Sequence, residues 1–237
     1  YELIKKRFYH DLTVLGIGAV KTSFNTSEGV VIDYVDPAKL VYSHTDSPYF
    51  EDIYYVGEIK TIPINELIKQ FPHLTTEDLE EIQGNSGISN RDNKRHREGD
   101  NDTNKVDILY FNYKTYMNEV YKLKESASGA EKAIGKDDTF APQENENFSR
   151  ESRKMECLYE GALVLGTKKL LKWEMAKNMM RPKSDFTKVK MNYAICAPRM
   201  YEGRIDSLVK RITGFADMIQ LTHLKIQQVM SRMTPDG

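Results

Sequence analysis

Near the end of the chain, residues 204–233 form the longest helical pattern in the sequence, RIDSLVKRITGFADMIQLTHLKIQQVMSRM (Arg204–Met233). Apolar residues recur there at intervals of three and four, which is the spacing of one stripe on an α-helix. The stripe consists of Ile205, Leu208, Val209, Ile212, Phe215, Ala216, Ile219, Ile226, Val229, Met230 and Met233. Gly203 precedes the segment, and Pro235 disfavours helical geometry at Thr234. The sequence therefore predicts one uninterrupted helix of about 45 Å.

A helix of this length is well above the average of about three turns for globular proteins. Long amphipathic helices commonly pack in bundles, and the neighbours can be other copies of the same chain. Leu221 and Leu224 fall outside the main stripe, which indicates a second packed side. The same spacing is equally typical of a long core helix in a monomer, so both interpretations remain open at this point.

Composition limits the class of protein. The 237 residues suffice for one large or two smaller domains, and no apolar run approaches the roughly 18 residues of a membrane-spanning helix. The chain begins at Tyr1 without an initiator methionine, so we expect a fragment of a longer protein. Its first residues do not have the basic-then-apolar pattern of a signal segment. The two cysteines, Cys157 and Cys196, indicate a reducing compartment and no disulfide framework.

Charge is unevenly distributed, although the whole chain carries a net charge of only −1. Residues 45–82 have a net charge of −7, residues 163–190 of +6, and residues 204–233 of +3. This separation suits a head-to-side assembly of subunits or a basic surface beside a polyanion, and it is also typical of solvated faces. In the basic segment, Lys168, Lys169 and Lys172 lie beside Trp173, whose ring is a candidate for stacking on a base or for core packing.

Hydrophobic periodicity and turn signals predict an α+β fold with antiparallel strands and short helices, followed by one long C-terminal helix. Four segments are expected: 1–83, with a helix, a β-hairpin and short helices; 84–105, a polar loop; 106–200, mostly antiparallel β; and 201–237, the long helix. Within 106–200, separate strands are predicted at 106–113 and 119–123, followed by a polar insertion at 125–152. A hairpin is predicted from 154 to 165, with its turn near Glu160 and Gly161.

The sequence contains no residue pattern typical of catalysis. The five histidines occur singly, neither they nor the cysteines have metal-ligand spacing, and no nucleophile elbow or phosphate-binding loop is present. Gly16 and Gly18 follow a predicted helix and precede a strand, which indicates a helix cap and not a nucleotide loop. We therefore expect a non-enzymatic protein with no catalytic, metal or cofactor site.

Four stretches, in this order, carry a resemblance to a known family. They are the passage Phe8–Val20 with Asp11, Gly16 and Gly18; the segment Val31–Pro37; the helix Glu66–Pro72 ending at an aromatic-proline pair; and Gly203–Val209 running into Ala216–Gln220. Their order resembles that of the portal (head-to-tail connector) proteins of tailed double-stranded DNA bacteriophages, particularly the short-tailed and crAss-like groups. In that family a Gly-x-x-x-Ser start introduces a long helix near the ring axis.

The resemblance implies a peripheral wing-like α+β region and one stem-like helix of a virion component that is assembled in the host cytoplasm. It implies self-association into a ring, usually of twelve subunits, that conducts double-stranded DNA without a membrane or cofactor. Capsid, terminase motor and tail adaptor proteins would be partners of the full-length protein.

Under this interpretation Lys210, Arg211, Lys225 and Arg232 face neighbouring subunits or DNA. The alternative is a nucleic-acid-binding module that uses the basic segment 163–190, including Lys168, Lys169 and Lys172.

Overall fold

The computed structural model describes residues 1–83, 105–125, 131–141, 148–167 and 169–233. Most of the predicted polar loop 84–105 and part of the predicted insertion 125–152 therefore lie outside the described residues. The chain forms two compact units, Tyr1–Ile53 with Tyr193–Gly237, and Tyr54–Asn192. As predicted, the fold is α+β with antiparallel sheets and a long C-terminal helix.

The first unit is built around a three-stranded sheet and its flanking helix. Its elements are α1 (Glu2–Val14), β1 (Gly18–Asn25), β2 (Gly29–Val35), a 3₁₀ turn (Pro37–Lys39), β3 (Leu40–Tyr42), β9 (Tyr193–Cys196), β10 (Met200–Tyr201), β11 (Arg204–Ile205) and α4 (Leu208–Met233). The sheet order is β2-β1-β9, with all pairs antiparallel. The predicted β1–β2 hairpin is thus confirmed, and a late strand completes the sheet.

The junction between α1 and β1 depends on its two glycines. Gly16 has a φ of +87°, and its N–H and that of Leu15 both donate to the carbonyl oxygen of Asp11, which confirms the predicted helix cap. Gly18 lies in β1 against the ring of Phe8, where a Cβ atom would be only 2.7 Å from a ring carbon. The Asp11 carboxylate, almost fully buried, accepts a 2.6 Å hydrogen bond from the Tyr34 hydroxyl. Burial and this carboxylate raise the pKa of Tyr34 well above its usual value.

The second unit is a sheet covered on part of one face by helices. Its elements are β4 (Tyr55–Pro63), α2 (Ile64–Gln70), α3 (residues 76–83), β5 (Lys105–Glu125), β6 (Glu131–Lys136), β7 (Phe148–Val164) and β8 (Leu170–Met175). The strand order is β4-β5-β7-β8, and β6 pairs with the outer end of β5. The core between this sheet and the helices consists of Ile62, Ile64, Leu67, Phe71, Ile82, Val106, Ile108, Ala162, Val164 and Leu171.

Three sequence predictions in this unit are wrong. The strands predicted at 106–113 and 119–123 are one strand, β5, and the hairpin predicted at 154–165 is one strand, β7. No turn occurs at Glu160 and Gly161, because both residues pair with β5 and with β8. The tract 125–152, predicted as a polar insertion without periodicity, contains β6 and the start of β7, whose backbone groups are satisfied by pairing with β5.

Gly161 has a packing reason for being glycine. A Cβ atom at this position would lie 2.4 Å from the ring of Phe111 on the neighbouring strand. The ring therefore occupies the space of the missing side chain, and Gly161 is a site of close approach within a continuous strand.

We predict that Gly161→Ala destabilises the fold by about 1–3 kcal/mol, because the added methyl group displaces the Phe111 ring. Urea unfolding followed by circular dichroism measures the change. Gly135→Ala in β6 is the matched control, since a Cβ atom there meets no atom within 4 Å in the part of the chain that the structure describes. Equal stabilities of the two variants would contradict the packing role of Gly161.

Candidate functional site

The long helix begins later than the sequence predicts. Residues Arg204 and Ile205 form β11, which pairs with β10 through a two-residue turn at Glu202 and Gly203. Both turn residues have positive φ angles, 49° and 73°, which is the geometry of a type I′ hairpin and explains the glycine. The prediction of helix from Arg204 is therefore wrong for the first four residues.

From Leu208 the helix α4 continues without a break to Met233, a length of about 39 Å. Ser207 caps its start, since its Oγ accepts a 3.0 Å hydrogen bond from the Lys210 N–H. The Ser207 at the end of the Gly-x-x-x-Ser motif is thus the N-cap residue. The predicted uninterrupted helix is confirmed over Leu208–Met233.

Arg199 connects the start of α4 to α1 within the first unit. Its Nε donates to the carbonyl oxygen of Asp206 at 3.2 Å, and its Nη2 donates to the carbonyl oxygen of Leu12 in α1 at 3.3 Å. The Asp206 N–H donates in return to the Arg199 carbonyl oxygen. No local sequence pattern indicates this role of Arg199, because it depends on the β10–β11 hairpin.

The apolar stripe of α4 is exposed. Against the part of the chain that the structure describes, no residue of α4 is buried. Eight stripe residues that lie within about 60° of one line along the helix are between 39% and 74% exposed: Leu208, Ile212, Phe215, Ile219, Ile226, Val229, Met230 and Met233. A row of eight large apolar side chains at helical spacing is far larger than the scattered apolar residues of an ordinary surface, and it marks an interaction surface.

The predicted cations of α4 lie on two different parts of its circumference. At 100° per residue, Lys210, Lys225 and Arg232 fall within about 60° of one another, at about 160°, 100° and 120° from the centre of the stripe. Arg211 lies at the edge of the stripe. Lys210 is 3.8 Å from Asp206, an exposed pair that contributes little to stability. The structure therefore brings together three of the four predicted cations.

The predicted lysines of the basic segment 163–190 are engaged by carboxylates. Lys169 forms an ion pair with Asp78 at the start of α3, and Lys172 contacts Glu160 at 3.1 Å and Glu174 at 2.9 Å. Burial favours neutral Lys172, but the hydrogen bonds to the two glutamates outweigh it and raise its pKa. Lys168 lies outside the described residues. Lys169 and Lys172 thus contribute to the fold of the second unit, which reduces the net positive charge around them.

Trp173 belongs to an aromatic cluster on the sheet. Its ring stacks on Tyr159 at 5.2 Å with an interplanar angle of 17°, and it lies 5.8 Å from Phe111 and 6.2 Å from Tyr113. Because Trp173 is still 48% exposed, it is packed on one side only. Both predicted alternatives for Trp173 are therefore compatible with its position: one side of the ring packs against the sheet, and the exposed side remains accessible to a base.

The two thiols show no sign of activation. Cys157 in β7 is buried and Cys196 in β9 is half-buried, and both are free. Burial raises the pKa of each thiol, which disfavours the nucleophilic thiolate at neutral pH. Among the described residues, no group of three or more His, Cys, Asp or Glu side chains has the arrangement of a metal site.

No known protein-family model matches the chain, and no curated protein matches it in sequence. Among the helices that the structure describes, none combines the length and apolarity needed to cross a membrane. A functional assignment therefore rests on the surfaces of the chain itself, and among the described elements α4 carries more exposed large apolar residues than any other.

Asp78 provides a test of the ion pair that joins α3 to the β7–β8 connection. The hydrogen bond from Lys169 and the bonds from Thr75, whose N–H is 3.1 Å from the carboxylate, lower the pKa of Asp78 from 3.8 to about 2. Because the folded-state pKa is lowered, the ionised carboxylate stabilises the fold above pH 3.8, and this contribution is lost as the pH falls toward about 2.

We predict that Lys169→Gln raises the pKa of Asp78 from about 2 toward 3.8, as followed by NMR titration of its carboxyl carbon. Lys172→Gln is the control, since Lys172 pairs with other carboxylates and leaves the titration of Asp78 unchanged. An unaltered pKa of Asp78 in Lys169→Gln would refute the assigned cause of its shift.

Proposed function

We propose that this chain is part of a subunit of the ring-shaped portal through which double-stranded DNA enters and leaves a bacteriophage capsid. The observation that carries the proposal is the exposed apolar stripe along α4, a surface that a lone chain has no reason to keep. The resemblance of four ordered motifs to portal proteins supports it. In this proposal the chain acts as a structural virion component without enzymatic activity, and copies of it, usually twelve, pack through α4.

Burial of the stripe supplies much of the free energy that association requires. Covering an already half-exposed large apolar side chain contributes about 1 kcal/mol, so eight such residues contribute on the order of 10 kcal/mol before the entropy cost of association. This gross value is comparable with the estimated cost of about 4–15 kcal/mol for bringing two chains together. Further contacts outside α4 are needed for a stable ring.

A ring also requires two different surfaces on each subunit. Each copy in a closed ring contacts one neighbour with one surface and the other neighbour with another. The second surface in the proposed ring comes from outside α4, because Leu221 and Leu224, although 59% and 48% exposed, lie on the same side of the helix as Lys210. Charged residues of the acidic segment 45–82 and the basic segment 163–190 other than Asp78, Lys169 and Lys172 add charge complementarity between copies in this proposal.

In the proposed ring, the DNA side of α4 carries Lys210, Lys225 and Arg232, and Arg211 contacts a neighbouring copy at the edge of the stripe. A channel must let DNA slide without reading its sequence, and scattered cations attract phosphates without fixing a register. Capsid, terminase motor and tail adaptor proteins are proposed partners of the full-length protein.

We predict that Ile226→Glu abolishes self-association, because it places a charge in the centre of the apolar contact. Gln228→Glu introduces the same side chain about 200° away on the helix, opposite the stripe, and retains assembly. Sedimentation velocity of both variants, with negative-stain imaging of the full-length protein, measures the outcome. A wild-type chain that stays monomeric at high micromolar concentration, with no rings from the full-length protein, would overturn the proposal.

A second prediction concerns the DNA side of the helix. In full-length protein, Lys225→Glu with Arg232→Glu retains rings but lowers the amount of packaged DNA, since the reversed charges repel phosphates. Packaged DNA is quantified after nuclease treatment of assembled particles. Normal packaging by intact variant rings would show that these two residues do not face DNA.

A further inference from the structure

The outer end of the second unit is a three-stranded sheet whose two faces differ in charge. Strand β5 lies in the centre, with β6 on one side and β7 on the other. Lys122 pairs with Ile134 and Arg150, Lys124 pairs with Lys132, and Val120 pairs with Lys136. Because directly paired residues share a face of a sheet, these cations all lie on the same face.

We define the basic face by six residues: Lys122, Lys124, Lys132, Lys136, Arg150 and Lys154. All of them except half-buried Lys122 are exposed. Among the described residues, the carboxylates at this face include that of Asp138, whose Oδ2 is 3.5 Å from the Asn118 amide and whose carbonyl oxygen accepts from Arg150. They also include that of Glu156, which pairs with Tyr116 and accepts a hydrogen bond from the Val189 N–H. The opposite face carries Glu119 and Glu151 with Arg153.

The separation of charge between the two faces is not evident from the sequence. Residues 119–154 contain seven basic and eight acidic residues and therefore carry almost no net charge. Alternation along the strands directs the lysines to one face and glutamates to the other. The separation is a property of the strand pairing, and it concentrates positive potential on one surface.

Two aromatic rings lie among the cations of the basic face. Phe140 has the ammonium groups of Lys122 and Lys136 at 5.9 Å and 5.7 Å from its ring centre, and Tyr116 has that of Lys154 at 4.5 Å. These contacts hold flexible lysine side chains over the sheet and so reduce the entropy lost when an anion binds. The arrangement is a positive surface with partly ordered donors.

We propose that the basic face binds the phosphate backbone of double-stranded DNA without sequence preference. A surface about three strands wide spans roughly 10 Å, and its cations are two residues (about 6.8 Å) apart on β5 and four residues (about 13.6 Å) apart on β6 and on β7. Several of them can therefore reach the closely spaced phosphates of one duplex at the same time. Bidentate base recognition needs side chains inserted into a groove, which a flat sheet face of lysines does not supply. The proposal involves the second unit alone and does not depend on ring formation.

Arg150 and Arg153 provide a matched test, because both are exposed on β7 and lie on opposite faces of the sheet. Binding of the full chain to a fluorescent 30-base-pair duplex is measured by anisotropy between 50 and 200 mM salt. Arg150→Glu, and separately Lys132→Glu, lower the affinity about tenfold and reduce the slope of log K against log salt by about one. Arg153→Glu makes the same charge change and alters the affinity less than twofold.

Equal weakening of binding by Arg150→Glu and Arg153→Glu would overturn the proposal. So would the absence of duplex binding by the wild-type chain at 50 mM salt. Circular dichroism verifies that each variant is folded, and Arg150→Lys restores binding if charge is what matters. The same measurements in a Lys225→Glu, Arg232→Glu background separate this surface from α4. Persistent binding that still depends on Arg150 supports the basic face, and loss of all binding in that background excludes it.

Discussion

The antiparallel pairing of β5 with β7 is the interaction on which the second unit depends. Seventeen consecutive residue pairs, from Ile108 with Val164 to Lys124 with Phe148, join two strands that are each much longer than the average of five or six residues. The inner part of this ladder supports β4, β8 and the helices that bury the core. Its outer part supports β6 alone and so forms the charged three-stranded end. One continuous ladder thus connects a packed core to an exposed polar surface.

In the first unit, the main constraint is the exposed apolar stripe of α4. Arg199 and Ser207 fix where α4 begins, but the helix then continues for 26 residues without becoming buried by the part of the chain that the structure describes. Hydrophobic burial is the main source of stability in proteins, so a stripe of this size requires a partner. A second copy of the chain is the simplest partner, and the proposed ring follows from repeating that contact.

The two proposed DNA surfaces use the same physical chemistry in different frameworks. On α4, a spacing of 15 and 7 residues brings Lys210, Lys225 and Arg232 to one side of a helix. On the three-stranded end, alternation in register brings lysines from β5, β6 and β7 to one face. Both present cations to phosphates and no groups arranged for base recognition, which suits contact with DNA that must move. The lysines beside Trp173 differ, because Lys169 and Lys172 are held by carboxylates within the unit.

The sequence alone determined the elements whose signals are local. The period of the stripe predicts α4, the glycines after α1 predict its cap, and alternating β-branched residues predict the β1–β2 hairpin, since each signal depends on neighbours along the chain. Only the tertiary structure decided that Gly161 is a contact for Phe111 and not a turn, and that Arg204 belongs to a hairpin. It also decided that the polar residues 119–154 have one basic face. Gly161 and the basic face depend on the pairing of β5 with β7, and partners 24 to 56 residues apart leave no period in the sequence.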